Sequence, residues 1–128
     1  MPKLLGIDYG TKRVGVALTD QTGSVAFPHG TFSNDRTLLP TLVNLIRKEN
    51  ISTAVVGESR SFSGKDNPVM SDVREFVKQL EDAVGVTIRY EPEYYSSVEA
   101  RKFTDKGAVD AEAAAIILNS YIERTKKP

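Results

Sequence analysis

The stretch LLGIDYGTKRVGVALTD, residues 4–20, does most to limit what this chain can fold into. Lys3 to Asp8 and Arg13 to Thr19 are short runs rich in β-branched and apolar residues, separated by the turn-forming YGTK. A third run, Val25 to Phe32, follows the turn signal QTGS. Residues 3–32 therefore read as a three-stranded antiparallel meander, with an aspartate closing its first strand.

Beyond the meander the period changes. From Asp35 to Asn50 the residues Leu38, Leu39, Leu42, Val43, Leu45 and Ile46 recur at helical spacing, with Asn34 or Asp35 as the expected cap. STAVVG is a continuous apolar run, as for a parallel strand buried on both faces. The serine- and glycine-rich ESRSFSGKDN reads as a loop. Asn67-Pro68 is a cap and first-turn pair opening a helix with Val69, Val73, Phe76, Val77 and Leu80 on one face. Val86 to Glu91 is the next strand. Ser96 or Ser97 is expected to cap a short helix through Phe103, and Asp110 to cap a last helix, AEAAAIILNSYIER. Its small alanine face suits close packing on a sheet, and the basic tail RTKKP is expected to fray. The predicted order is β-β-β-α-β-α-β-α-α, an α/β fold.

Composition narrows the chemistry. A chain of 128 residues is expected to form a single domain, residues 1–128. Nothing approaches the roughly 18 apolar residues that span a bilayer, and the start resembles no signal peptide, so no membrane partner and a cytoplasmic location are expected. There is no cysteine and only His29, which excludes thiolate-held zinc and a histidine-rich site; His29 itself reads as structural. Any metal must take oxygen ligands. Balanced charge, with 17 basic and 17 acidic side chains, argues against a grip on nucleic acid by bulk charge alone.

Strands joined through helices form parallel sheets, and ligands collect at the carboxyl ends of such strands. Four acids stand at or just past those ends, Asp8, Glu58, Glu91 and Glu93, and Asp110 opens the last helix. A cluster of carboxylates suits Mg²⁺ or Mn²⁺, and two such ions about 3.5 to 4 Å apart clamp the attacking and leaving oxygens of a phosphodiester displacement. Each acid also has a plain role to weigh: Asp8 as a turn cap, Asp110 as a helix cap, Glu91 and Glu93 as solvated acids, Glu58 as an ion pair with Arg60. Lys12 and Arg13 are either a solvated turn or a phosphate-holding corner beside Asp8. Arg60, Ser63, Gly64 and Lys65 are candidates for a strand clamp; Tyr94 and Tyr95 either stack on bases or pack in the core.

Four segments, GIDYGTKRVGVALTD, VVGESRSFSG, EYYSSVEAR and VDAEAAAIILNSY, resemble in that order the YqgF family, also called RuvX, of the RNase H-like superfamily. The resemblance implies a five-stranded mixed sheet of order 3-2-1-4-5, strands one to three antiparallel, with helices on both faces. It also implies a metal-dependent nuclease processing the 5′ end of pre-16S rRNA, or a Holliday junction resolvase. The family's first-strand aspartate falls on Asp8, and that of its V-D-x-x-A-A motif on Asp110. Its D-E-R-x-[ST]-[ST] motif is altered here: Pro92 stands for Asp, Glu93 matches Glu, and Tyr94 stands for Arg. Glu93 is thus the expected third ligand, with Glu91 as its substitute, and Glu58 adds an acid where the common pattern has V-G-L-P. With Tyr94 in place of the arginine, Arg60 or Arg101 would have to supply phosphate-binding charge.

The expectation is a hydrolase cutting structured RNA with Mg²⁺ or Mn²⁺, its site built on Asp8, Asp110 and Glu93, acting as a monomer or weak homodimer. The alternatives are an endonuclease for branched DNA and a catalytically impaired RNA-binding or ribosome-assembly module. A D-x-G-T hairpin also occurs in two-lobed ATPases, but this chain is too short for two lobes.

Overall fold

Alternation along the first strand sets the layering. In a computed structural model, which describes residues 3–60, 70–94 and 106–125, the elements are β1 (Lys3–Tyr9), β2 (Arg13–Thr19), β3 (Ala26–Ser33), α1 (Leu38–Glu49), β4 (Ile51–Arg60), α2 (Met70–Val84), β5 (Thr87–Tyr94) and α3 (Lys106–Thr125). Leu5 and Ile7 of β1 point to one face of the sheet, into a core with Val14, Val16, Ala54 and Val56. Helices α1 and α2 close that core with Leu38, Leu42 and Ile46, and with Val73, Phe76, Val77 and Leu80. Burying one such large side chain contributes about 1.5–3 kcal/mol, so these helices are held by packing.

The opposite face of the sheet is shallower. Ala17 and Val55 pack there against Ala114, Ala115, Ile117, Leu118 and Ile122 of α3. A Cβ on Gly6 would lie 2.8 Å from the Ala114 carbonyl oxygen, so the small residues on strand and helix let α3 rest almost on the backbone of β1.

Strand order is β3-β2-β1-β4-β5, with β1–β2 and β2–β3 antiparallel and β1–β4 and β4–β5 parallel. This is the sheet the resemblance implies. Both edges carry a proline, Pro28 in β3 and Pro92 in β5, where a missing N–H costs no ladder bond. On β3, Val16 pairs with Gly30 and Ala17 with Pro28, which leaves exposed His29 as the extra residue of a bulge.

Several boundaries differ from expectation. Helix α1 starts at Leu38 with Thr37 at its N-cap, so neither Asn34 nor Asp35 takes that place. Asp35 instead accepts hydrogen bonds from the Thr37 backbone N–H, at 2.9 Å, and from its hydroxyl. Asn34 donates its amide to the Gly10 carbonyl, at 2.7 Å. Strand β4 runs on to Arg60 because its pairing with β5 continues through Arg60 and Tyr94, so the start of the predicted loop is strand. Helix α3 begins at Lys106, which puts Asp110 inside the helix and not at its cap, and it carries Arg124 and Thr125 of the supposed fraying tail. The Asn67-Pro68 cap and the short helix through Phe103 lie outside the described residues.

Candidate active site

Gly15 links the two aspartates. Asp8 is paired with Gly15 across the β1–β2 ladder and shares the face of Gly6, the face covered by α3. Above Gly15 sits the first part of α3: a Cβ added there would fall 1.8 Å from the Asp110 carbonyl oxygen. The bare glycine therefore forms a cradle that brings Asp110 down beside the carboxyl end of β1. Both aspartates belong to one face and one end of the sheet.

The Asp110 carboxylate, 15% exposed, accepts a hydrogen bond from Arg13 Nε to Oδ2 at 2.7 Å. Arg13 is two residues from Gly15 on β2, so alternation places it on the same face. The turn that carries it is braced twice. Gly10 N–H donates to the Arg13 carbonyl at 2.9 Å, and Asn34 N–H donates to the Lys12 carbonyl at 3.0 Å. Lys12 itself is exposed at that turn.

The structure does not bring the other described acids to this point. Glu58 follows Val56 by two residues and so lies on the α1/α2 face, opposite Asp8. Its charge acts on Tyr90 of that face: burial pushes the Tyr90 hydroxyl above its ordinary value, Arg74 pulls it down, and Glu58 and Glu81 add to the rise. Glu91 is on the α3 face but is only 6% exposed, and its Oε1 accepts from Arg124 Nε at 2.9 Å and Nη2 at 2.6 Å. Arg124 is in the last turn of a 20-residue helix, about 30 Å long, whose first turns hold Asp110. Glu91 is thus a buried anchor for the last turn of α3, held by Arg124.

Glu93 and Arg60 are in β5 and β4, in backbone register with Ser59 and Tyr94, and their side chains are outside the described part, as are Lys65 and Arg101 altogether. Among the described residues no group of three or more His, Cys, Asp and Glu could hold a metal. Asp8 and Asp110 share one face and one end of the sheet as a candidate pair. The all-oxygen character of that pair and the glycine cradle that sets it fit a hard divalent cation.

Two contributors escaped the sequence reading. The Arg124–Glu91 pair spans 33 residues and follows no local spacing. Gly15 did carry a signal, since a glycine inside a β-branched strand marks close backbone approach.

The family described as "RuvX: Holliday junction resolvase" matches residues 2–124. The chain is 36% identical over 135 residues to a protein of Salinibacter ruber named "Putative pre-16S rRNA nuclease", covering 96% of this chain and 94% of the relative. A Nitratidesulfovibrio vulgaris protein of the same name is 36% identical over 132 residues, covering 94% and 92%. In fold, the chain is similar to Thermus thermophilus RuvC in complex with a Holliday junction substrate (TM-score 0.59, 14% identity, 98% of this chain and 96% of that one). It is also similar to the fowlpox virus Holliday junction resolvase (TM-score 0.53, 13% identity, 95% and 99%). No helix among the described residues is long and apolar enough to cross a membrane. By the match along nearly its whole length and by its relatives, the chain belongs to the RuvX family.

Proposed function

We propose that this nuclease uses Mg²⁺ or Mn²⁺ to hydrolyse phosphodiester bonds in structured RNA, processing the 5′ end of precursor 16S rRNA in the cytoplasm. The observation that carries the reading is the convergence of Asp8 and Asp110 on either side of Gly15, at the carboxyl end of the central strand. The names of its curated relatives support the RNA substrate.

Asp8 and Asp110 would hold the metal, with Glu93 as the third ligand. The bound ion supplies Lewis-acid stabilisation of the reacting phosphate and a more acidic water. The protein's own part is placement. The cradle at Gly15 fixes the Asp110 backbone, so its carboxylate is positioned before substrate arrives. Exposed Lys12 attracts the nucleic acid backbone toward the same corner, and Arg60, Lys65 and Arg101 extend that grip.

The second reading, cleavage of branched DNA, is favoured by the family's description. Cutting a junction symmetrically calls for two copies of the chain. Mn²⁺-dependent cleavage of a precursor 16S rRNA and of a four-way DNA junction, run beside gel filtration, separates the two. The RNA reading expects cleavage of the precursor at monomer concentrations. Junction cleavage by a dimer, with the RNA left whole, would favour the resolvase, and binding without any cleavage would indicate an RNA-binding module.

A further inference from the structure

Arg13 is the side chain at the site whose role is least like that expected from its neighbours. A guanidinium in a turn beside Asp8 reads as a phosphate contact, yet here Nε donates to Asp110 at 2.7 Å. The contact cancels one negative charge of the carboxylate pair and places a fixed positive charge beside any cation that Asp110 would bind. Arg13 is also the more open partner, its side chain 38% exposed against 15% for Asp110. A carboxylate and a phosphate oxygen offer a guanidinium the same kind of acceptor. A polyanion laid along this corner would therefore compete with Asp110 for the same group.

We propose that Arg13 is a positioning residue that couples nucleic acid binding to metal binding: it neutralises Asp110 in the free protein and turns to a backbone phosphate when the strand arrives. The Asp110 carboxylate then meets the metal at full charge, and the site loads where substrate is present. This rests on the reading of Asp8 and Asp110 as metal ligands. The coupling is reciprocal, so metal held at Asp110 also leaves Arg13 available to phosphate.

The test uses the full chain and the Arg13→Gln, Arg13→Lys and Asp110→Asn variants. Mn²⁺ is titrated into each by calorimetry without nucleic acid. Binding of a duplex RNA oligonucleotide is then measured in EDTA over a range of salt. Arg13→Gln is expected to bind Mn²⁺ about tenfold more tightly than the parent, and Arg13→Lys, which keeps the charge, to bind like the parent. The salt slope of RNA binding should fall by about one for Arg13→Gln. A purely supporting role for Arg13 would instead weaken Mn²⁺ binding in the glutamine variant. Equal or weaker binding by Arg13→Gln overturns the coupling while leaving the metal site standing. Mn²⁺ binding that is absent in both the parent and Arg13→Gln, or unchanged in Asp110→Asn, overturns the site and the coupling together.

Discussion

The Asp110 carbonyl oxygen rests directly over Gly15, where a Cβ would come within 1.8 Å of it. Because the clash is with backbone, no flexible side chain can absorb it, and α3 would have to lift from the sheet at the end that carries Asp110. We expect Gly15→Ala to cost about 3 kcal/mol of stability and to abolish Mn²⁺ binding even where the variant still folds. Denaturant unfolding and calorimetry check the two effects separately. A variant of parental stability would show that α3 does not sit on β2 as described.

Glu91 and Arg124 make the opposite prediction for metal. Glu91→Gln and Glu58→Gln should each leave Mn²⁺ affinity within about twofold of the parent, because one carboxylate is held by Arg124 and the other faces the α1/α2 side. Arg124→Met should lower the thermal midpoint by about 5 °C, since it leaves the buried Glu91 without its partner. Loss of Mn²⁺ binding in Glu91→Gln would return that residue to the metal site.

Acid sensitivity has identifiable sources. The Thr37 hydroxyl and backbone N–H hold the Asp35 carboxyl below its ordinary value, the Lys3 ammonium does so for Glu49, and the Ser24 backbone N–H leads the effect on Asp20. Carboxyls depressed in the folded state stabilise it above their unfolded values, and that contribution is lost as pH falls through the folded ones. The thermal midpoint should therefore drop as pH goes below about 4. Asp35→Asn and Glu49→Gln together should flatten the slope. An unchanged slope would show that these contacts do not persist in solution.

The sheet and two of its helices were legible because their apolar periods are unambiguous. Leu5 and Ile7 alternate with Leu4 and Gly6, while Leu38, Leu42 and Ile46 mark a helical stripe. The site was legible only in part. A strand-end position gives the level of an acid along the sheet but not its face, and Ala54 to Gly57, buried in succession, offer no alternation to settle the face of Glu58. Helix α3 starts at Lys106, four residues before Asp110, although Gly107 is a poor helix former, so the cap expected at Asp110 falls inside the helix. The partnership of Glu91 with Arg124 depends on how the last helix crosses the sheet, which no local spacing encodes.

The central claim is that Asp8 and Asp110 together bind the metal that cuts the phosphodiester bond. Mn²⁺-dependent cleavage of a precursor 16S rRNA by Asp8→Asn, with folding verified by circular dichroism, tests it most directly. The account predicts a loss of about a thousandfold, on the order of 4 kcal/mol of transition-state stabilisation, in a protein that remains folded. Cleavage at the parental rate by folded Asp8→Asn would contradict it.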